Sequence, residues 1–166
     1  MRARYALPLV VLVAGCGGGG GKTVTTTTQA TPAPPAPLPA PVPRADVAVI
    51  KSWADRLRKG DVEGASRLWN VPATIANGST PEVLDSPVLV RVFNETLPCG
   101  AKLISTKKDG SRTIATFELT ERTGGPGCGN GVGERASTRF LIRKGKIVEW
   151  VRVPVPDDQL HISPPV

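Results

Sequence analysis

The chain has 166 residues, a formal net charge of +7 at pH 7 and three cysteines. Aromatic residues are 4% of the sequence, too few for a stacking surface that binds single-stranded nucleic acid. A single histidine excludes a His-rich metal site and any mechanism that needs two histidines. No apolar run approaches the roughly 18–20 residues that span a bilayer, so we predict no transmembrane helix. Glycine and proline are abundant but unevenly spread, which predicts a linker followed by one domain.

The N-terminus has the pattern of an export signal. Arg2 and Arg4 form a short basic region, and residues 6–13 (ALPLVVLV) form an apolar segment of signal-peptide length. Small residues, Ala14 and Gly15, then precede a cysteine. We therefore predict a signal peptide over residues 1–15.

The four residues that end at Cys16, Val-Ala-Gly-Cys, resemble the lipobox of bacterial lipoproteins. The resemblance implies that the Cys16 thiol takes a diacylglycerol and becomes the new N-terminus after cleavage. Added acyl chains, palmitate among them, then anchor the chain to the outer face of the cell membrane. The alternative is an ordinary secretory peptide with an incidental cysteine.

Residues 16–45 have the composition of a disordered linker. Five consecutive glycines at 17–21 are followed by a threonine-rich stretch and by PAPPAPLPAPVP at 32–43. Glycine runs are flexible, whereas the proline tract favours a stiff polyproline II stalk. We predict a stalk that holds a domain away from a membrane. Because the protein is exported and the remaining domain is only mildly basic, we expect no nucleic-acid partner.

Three helices are predicted at the start of the domain. The first runs from Asp46, a candidate cap, to Lys59 and is ended by Gly60, and Asp61 caps a second, shorter helix. Ser86 caps a third helix, with Pro87 at its first position. The apolar stripe of the first helix is Val47, Ile50, Trp53, Ala54 and Leu57; that of the second is Ala65, Leu68 and Trp69; that of the third is Val88, Leu89, Val92, Phe93 and Leu97.

Alternating apolar residues then predict an antiparallel meander. Its four strands are 101–107, 112–122, 135–143 and 147–155, with a tight turn at Asp109-Gly110 and a glycine-rich loop at 123–134. Between the second and third helices, Pro72, Asn77-Gly78 and Pro81 predict a stretch that is mostly loop, with a short strand at 74–76. Helices followed by antiparallel strands predict an α+β domain at 46–156, with a tail at 157–166.

This order of elements resembles the NTF2-like superfamily, which includes SnoaL-like cyclases, ketosteroid isomerases and other cystatin-like α+β cones. The matching features are Trp53 and Leu57 in the first helix, Gly60-Asp61 and Ala65 at the second, and the closing strand 145–150 (GKIVEW). The resemblance covers residues 45–153. It implies N-terminal helices packed on a curved antiparallel sheet, a pocket at the open end of the cone, and homodimers that pair through the sheet.

Cys99 and Cys128 are the first candidates for chemistry. Export places them in an oxidising compartment, and they are the two thiols that remain after Cys16 is acylated. We predict a disulfide between them. Free thiols or a redox pair are the alternatives, although the chain has no CxxC motif.

Catalytic members of the resembled superfamily use a carboxylate or histidine base inside the cone, often with tyrosine donors. The sole tyrosine, Tyr5, lies in the signal peptide, and His161 lies in the tail. The base would therefore have to be Glu149 or Glu118. In a regular strand Glu149 shares a face with Ile147 and Val151, so its pKa would be raised by desolvation if that face points inward, whereas Glu118 is the more solvated of the two.

Trp53 and Trp150 are candidate pocket residues, and Trp69 completes the set of tryptophans. Arg139 and Arg152 are candidates for a contact with a carboxylate ligand, or are surface charges on strands. We predict no metal site and no cofactor.

The main functional hypothesis is a lipid-anchored, extracytoplasmic binding module. It holds a small apolar molecule in the cone or contacts another protein near the cell envelope. An enzyme that transfers protons with Glu149 as its base is the alternative, and a structural spacer with a filled cone is a third.

Overall fold

A computed structural model of the chain describes residues 41–159. The predicted signal peptide, Cys16 and most of the predicted linker lie outside the described residues, and so does the sequence from residue 160, which includes His161. Within residues 41–159, no helix is long and apolar enough to cross a membrane.

The three predicted helices are present. Their bounds are α1 Arg44–Arg58, α2 Val62–Ser66 and α3 Pro87–Thr96. Gly60 follows α1 with φ +80°, a left-handed conformation that ends helices at little steric cost. The Asp61 carboxylate accepts a hydrogen bond from the Gly64 N–H at 2.8 Å, and the Ser86 hydroxyl accepts one from the Leu89 N–H at 3.4 Å. Two of the three predicted caps, Asp61 and Ser86, are therefore confirmed.

Two helix predictions are wrong in detail. α1 begins at Arg44, after Pro43 and without a side-chain cap, so Asp46 lies inside its first turn. At that position its negative charge still interacts favourably with the helix dipole. α2 ends at Ser66, and Trp69 belongs to a strand.

The buried face of α3 also differs from the predicted stripe. Phe93 is buried as expected, but its buried neighbours are Val90 and Asn94. The predicted core positions Val88, Leu89 and Val92 are 69%, 41% and 47% exposed. Asn94 is buried although it is polar, because its amide has hydrogen-bond partners inside the protein, as described below.

The sheet has six strands. In chain order they are β1 Trp69–Ala76, β2 Glu82–Leu84, β3 Gly100–Asp109, β4 Arg112–Thr120, β5 Arg135–Arg143 and β6 Lys146–Val153. Their order across the sheet is β2-β1-β6-β5-β4-β3. The predicted meander corresponds to β3–β6, with each end within two residues of its predicted position.

The sheet is mixed, which corrects the prediction of a purely antiparallel one. β1 pairs with β6 in parallel, and every other pairing is antiparallel. β1 is longer than the predicted strand at 74–76 and contains Pro72, a residue usually excluded from sheet interiors. The register shifts between Trp69 and Thr74, and this irregularity accommodates the proline.

The helices pack on one face of the sheet, which we call the inner face. Trp53 of α1 makes edge-to-face contacts with Phe140 and Phe117, with ring centroids 5.5 and 6.3 Å apart. Phe93 of α3 contacts Trp69 and Trp150 at 5.6 and 5.1 Å. Further register shifts in β3 and β6 bend the sheet around these rings.

The C-terminal segment covers part of the opposite, outer face. Asp157–Gln159 forms a 3₁₀ turn, and the Ser105 hydroxyl donates a hydrogen bond to the Gln159 side chain at 2.6 Å. Thr116 and Ser137 are buried on this face and hydrogen-bond to each other at 2.9 Å. The predicted tail therefore begins with residues that are part of the domain.

Candidate functional site

A cavity of about 350 Å³ lies between α1 and the inner face of the sheet. This volume is near the lower end of the range of small-molecule sites, roughly 300–1,000 Å³. The lining is mainly apolar and consists of Trp53, Ala54, Leu57, Asn77, Gly78, Leu97, Pro98, Cys99, Ala101, Phe117, Leu119, Ala136, Thr138, Trp150 and Arg152.

Burial divides this lining into a floor and a mouth. Trp53, Phe117 and Trp150 are at most 4% exposed and form the floor. Asn77 and Arg152 are exposed and lie at the mouth. The aromatic rings therefore lie at the buried end of the cavity, and Asn77 and Arg152 place polar groups at its exposed end.

The pairing of β5 with β6 explains why these two strands contribute residues to both the floor and the mouth of the cavity. Phe140 is opposite Trp150, and Thr138 is opposite Arg152. Directly opposed residues of antiparallel strands point to the same face, so Thr138 and Arg152 share the inner face with the two aromatic rings. Moving along β6 from Trp150 to Arg152 thus leads from the floor to the mouth.

Glu149 lies on the outer face, which corrects the suggestion of an inward carboxylate. The register between β5 and β6 shifts so that Leu141 is opposite Glu149 but Ile142 is opposite Ile147. Val148 is the extra residue of a β-bulge, and a bulge reverses the alternation of side chains along the strand. Ile147 and Trp150 consequently share the inner face, and Glu149 does not.

The environment of Glu149 is also opposite to the one expected for a general base. Its carboxylate accepts hydrogen bonds from Arg112 at 2.6 and 2.9 Å, and Arg139 lies 3.5 Å away. The Arg112 hydrogen bonds outweigh desolvation and lower the pKa of Glu149 below its ordinary value. The raised pKa expected for an inward Glu149 is not found.

Glu118 is on the outer face too. In the register of β3, β4 and β5 it lies beside Lys102 and Arg135, and it alternates with the buried Phe117 as predicted. No Asp, Glu or His is present among the described residues that line the cavity. The structure brings the two tryptophans of the sequence prediction together at the cavity and leaves both glutamates outside it.

The predicted disulfide between Cys99 and Cys128 is present. Cys99 precedes β3 and lines the cavity, whereas Cys128 lies in the glycine-rich loop between β4 and β5. That loop joins two strands and contains a 3₁₀ turn at Gly129–Gly131, so no α-helix begins in it whose N-terminus could face a phosphate. The bridge attaches this loop to the rim of the cavity.

A buried polar network positions one wall of the cavity. The Trp53 indole N–H donates to the Asn94 side chain at 3.0 Å, and Asn94 donates in turn to the Ser66 hydroxyl at 3.1 Å. Arg122 donates to the backbone carbonyls of Asn94 and Leu97 at 2.8 and 2.7 Å. Together these bonds connect all three helices to the end of β4.

The sequence did not reveal Asn94 and Arg122, because neither belongs to an apolar stripe. The one local signal was that Asn94 directly follows Phe93 and lies four residues after Val90 in α3. Within residues 41–159, no group of three or more His, Cys, Asp or Glu is placed to hold a metal ion.

No family model matches the chain, and no curated protein sequence matches it. Several solved structures are similar to it. An NTF2-like protein of unknown function from Cytophaga hutchinsonii shares 12% identity at a TM-score of 0.49, over 63% of this chain and 85% of its own. A putative ketosteroid isomerase from Kribbella flavida shares 14% identity at 0.49, over 74% of this chain and 91% of its own.

A de novo designed protein with a curved β-sheet shares 14% identity at a TM-score of 0.50, over 71% of this chain and 91% of its own. The similar structures include NTF2-like and cystatin-fold proteins. The helices packed on one face of a six-stranded sheet confirm the predicted α+β fold, and the designed curved-sheet protein has a similar fold. At these identities the likeness concerns the fold alone.

Proposed function

We propose that this protein binds a small, largely apolar molecule in the cavity between α1 and the sheet, and that a lipid on Cys16 anchors it to the outer face of a cell membrane. The observation that carries the binding proposal is the cavity itself. Its floor is aromatic, its mouth is polar, and its size suits a small ligand.

The chemistry of the lining favours binding over proton transfer. A general base must lie within hydrogen-bond reach of the proton that it removes. Glu149 is held by Arg112 on the other face of the sheet, and Glu118 is also on that face. An enzyme that uses either carboxylate inside the cone therefore finds no support in this geometry.

Filling the cavity tests the binding proposal. Ala101 is half-buried in β3 and lines the cavity, so Ala101→Leu places three more carbon atoms in it. Ala48, which is exposed on α1, provides the matched control Ala48→Leu. The full chain with Cys16→Ser is purified from an export host and titrated with 1-octanol, with tryptophan fluorescence as the readout.

We expect 1-octanol to perturb the fluorescence of the parent and of Ala48→Leu, and to bind at least tenfold more weakly to Ala101→Leu. Equal binding to all three proteins would place the ligand elsewhere. No binding by any of them would overturn the proposal.

The membrane anchor rests on the sequence of the first 16 residues and needs its own test. Cells that express the chain are fed an alkyne-labelled palmitate, and the protein is examined for the label. We expect label in the native chain and none in Cys16→Ser, which should also leave the membrane fraction. An unlabelled native chain would contradict the anchor without affecting the binding proposal.

A protein contact is the second candidate function. Val88, Leu89 and Val92 of α3 are 69%, 41% and 47% exposed, and Val88 and Val92 lie one turn apart on the same side of the helix. Apolar side chains grouped on a surface are typical of interaction sites. A homodimer through the sheet remains a separate prediction, which sedimentation analysis of the full chain would test.

A further inference from the structure

Arg152 is a cation on the inner face of the sheet for which the described residues supply no anion. It lines the mouth of the cavity, and no ion pair or hydrogen bond joins its guanidinium to another side chain within residues 41–159. Burial of part of the group lowers the pKa of Arg152, and no nearby carboxylate offsets the effect. The guanidinium nevertheless stays charged at neutral pH.

Three other arginines near the core have partners within the protein. Arg112 and Arg139 on the outer face share Glu149, and Arg122 donates to backbone carbonyls at the end of α3. Arg152 differs from these three cations because it lies at the cavity mouth and has no such partner among residues 41–159.

Thr138 adds a second donor at the same place. It is opposite Arg152 in the register of β5 and β6, is 3% exposed and lines the cavity. Opposed residues lie about 5 Å apart at Cβ, so one small anion can reach both side chains. The fork of a guanidinium matches the two oxygens of a carboxylate.

We infer that the ligand is an amphiphilic monocarboxylate, whose apolar chain lies against Trp53, Phe117 and Trp150 and whose carboxylate binds Arg152 at the mouth. This inference rests on the proposed function and specifies its ligand class. A monocarboxylate fits better than a phosphate monoester, because one unpaired guanidinium balances one negative charge. The cavity volume of about 350 Å³ limits the apolar part to a short chain or a small ring system.

The test compares two probes that differ only in the head group, octanoate and 1-octanol. Each is titrated into the full chain carrying Cys16→Ser, and into the same chain with Arg152→Gln, Arg152→Lys or Arg143→Gln. Arg143 is exposed at the end of β5, so its variant removes the same charge at a distance from the cavity. Dissociation constants come from tryptophan fluorescence.

We expect Arg152→Gln to weaken octanoate binding at least tenfold, the loss associated with one hydrogen bond to a charged group. Binding of 1-octanol should be unchanged, and Arg143→Gln should match the parent with both probes. Arg152→Lys should recover part of the octanoate affinity, because it keeps the charge but loses the fork.

Two results would overturn the inference, and they are distinguishable. If both probes bind and Arg152→Gln lowers neither affinity, the proposed function stands but the head-group assignment is wrong. If neither probe binds to the parent chain, the proposed function fails and the ligand class fails with it.

Discussion

Glu149 of β6 accepts two hydrogen bonds from Arg112 of β4, at 2.6 and 2.9 Å, across the intervening strand β5 on the outer face of the sheet. The Glu149 side chain is only 14% exposed, so water screens this pair less than it screens a surface ion pair. The pair holds the two strands together on the face that the helices do not cover.

The ion pair makes stability depend on pH. Because the folded-state pKa of Glu149 is lowered from its ordinary 4.5, its contribution is complete above that value and is lost as pH falls through the folded pKa. We expect Glu149→Gln to cost about 1–3 kcal/mol of unfolding free energy at pH 7, and progressively less in acid. Urea unfolding at several pH values measures this difference.

Glu134→Gln is the control for that series, since Glu134 is exposed and no hydrogen bond or ion pair involves its carboxylate within residues 41–159. A Glu149→Gln penalty that stays constant down to low pH would contradict the pKa assignment. The variant should bind 1-octanol as the parent does, because Glu149 lies outside the cavity.

The buried network around Asn94 predicts a large loss on truncation. Asn94→Ala leaves the buried Trp53 N–H without its acceptor and removes a partner of Ser66. We expect a loss of about 2 kcal/mol in unfolding free energy. Asn70→Ala, at an exposed position of β1, should change it by less than about 0.5 kcal/mol, and similar losses for the two variants would argue against the network.

The disulfide predicts a stability difference set by the loop that it closes. Cys99 and Cys128 are 29 residues apart, for which the chain-entropy model gives about 3–4 kcal/mol. The double variant Cys99→Ala/Cys128→Ala should lose this amount in urea unfolding and should be insensitive to reductant. If reductant leaves the stability of the parent unchanged, the bridge does not contribute as expected.

Two glycines separate backbone strain from steric overlap. Gly60 and Gly145 both have positive φ, +80° and +72°. A Cβ at Gly60 would lie 2.6 Å from the Thr123 carbonyl oxygen, whereas one at Gly145 meets nothing within 4 Å. Gly145→Ala should cost about 1–2 kcal/mol, and Gly60→Ala an additional amount of about 1–3 kcal/mol from overlap with backbone. Equal losses in thermal unfolding would show that the Thr123 contact is not restrictive.

Much of the fold could be predicted because its signals are local. Asp61 and Ser86 begin helices by hydrogen-bonding to N–H groups three residues ahead, and Gly60 ends one by its own conformation. β5 was predicted at its exact bounds from strict alternation. The disulfide was predicted because the predicted export leads to an oxidising compartment and because two cysteines remain besides Cys16.

The errors arose where distant residues decide the outcome. Pro72 argued against a strand, yet pairing with β2 and β6 on either side holds β1 in the sheet. Asn94 is buried in place of apolar neighbours because Trp53, 41 residues away, supplies its hydrogen-bond partner. Neither pairing can be inferred from the residues next to Pro72 or Asn94.

The sequence by itself determined the α+β class, the caps of α2 and α3, the end of α1, the four long antiparallel strands and the pair of cysteines, because each depends on residues close together in the chain. Only the tertiary structure decided which side chains meet at the cavity. One extra residue, Val148, turns Glu149 outward and leaves Trp150 and Arg152 facing the helices. A bulge has no strong local signature in the sequence, yet it changes the face of the sheet to which every later side chain of the strand points.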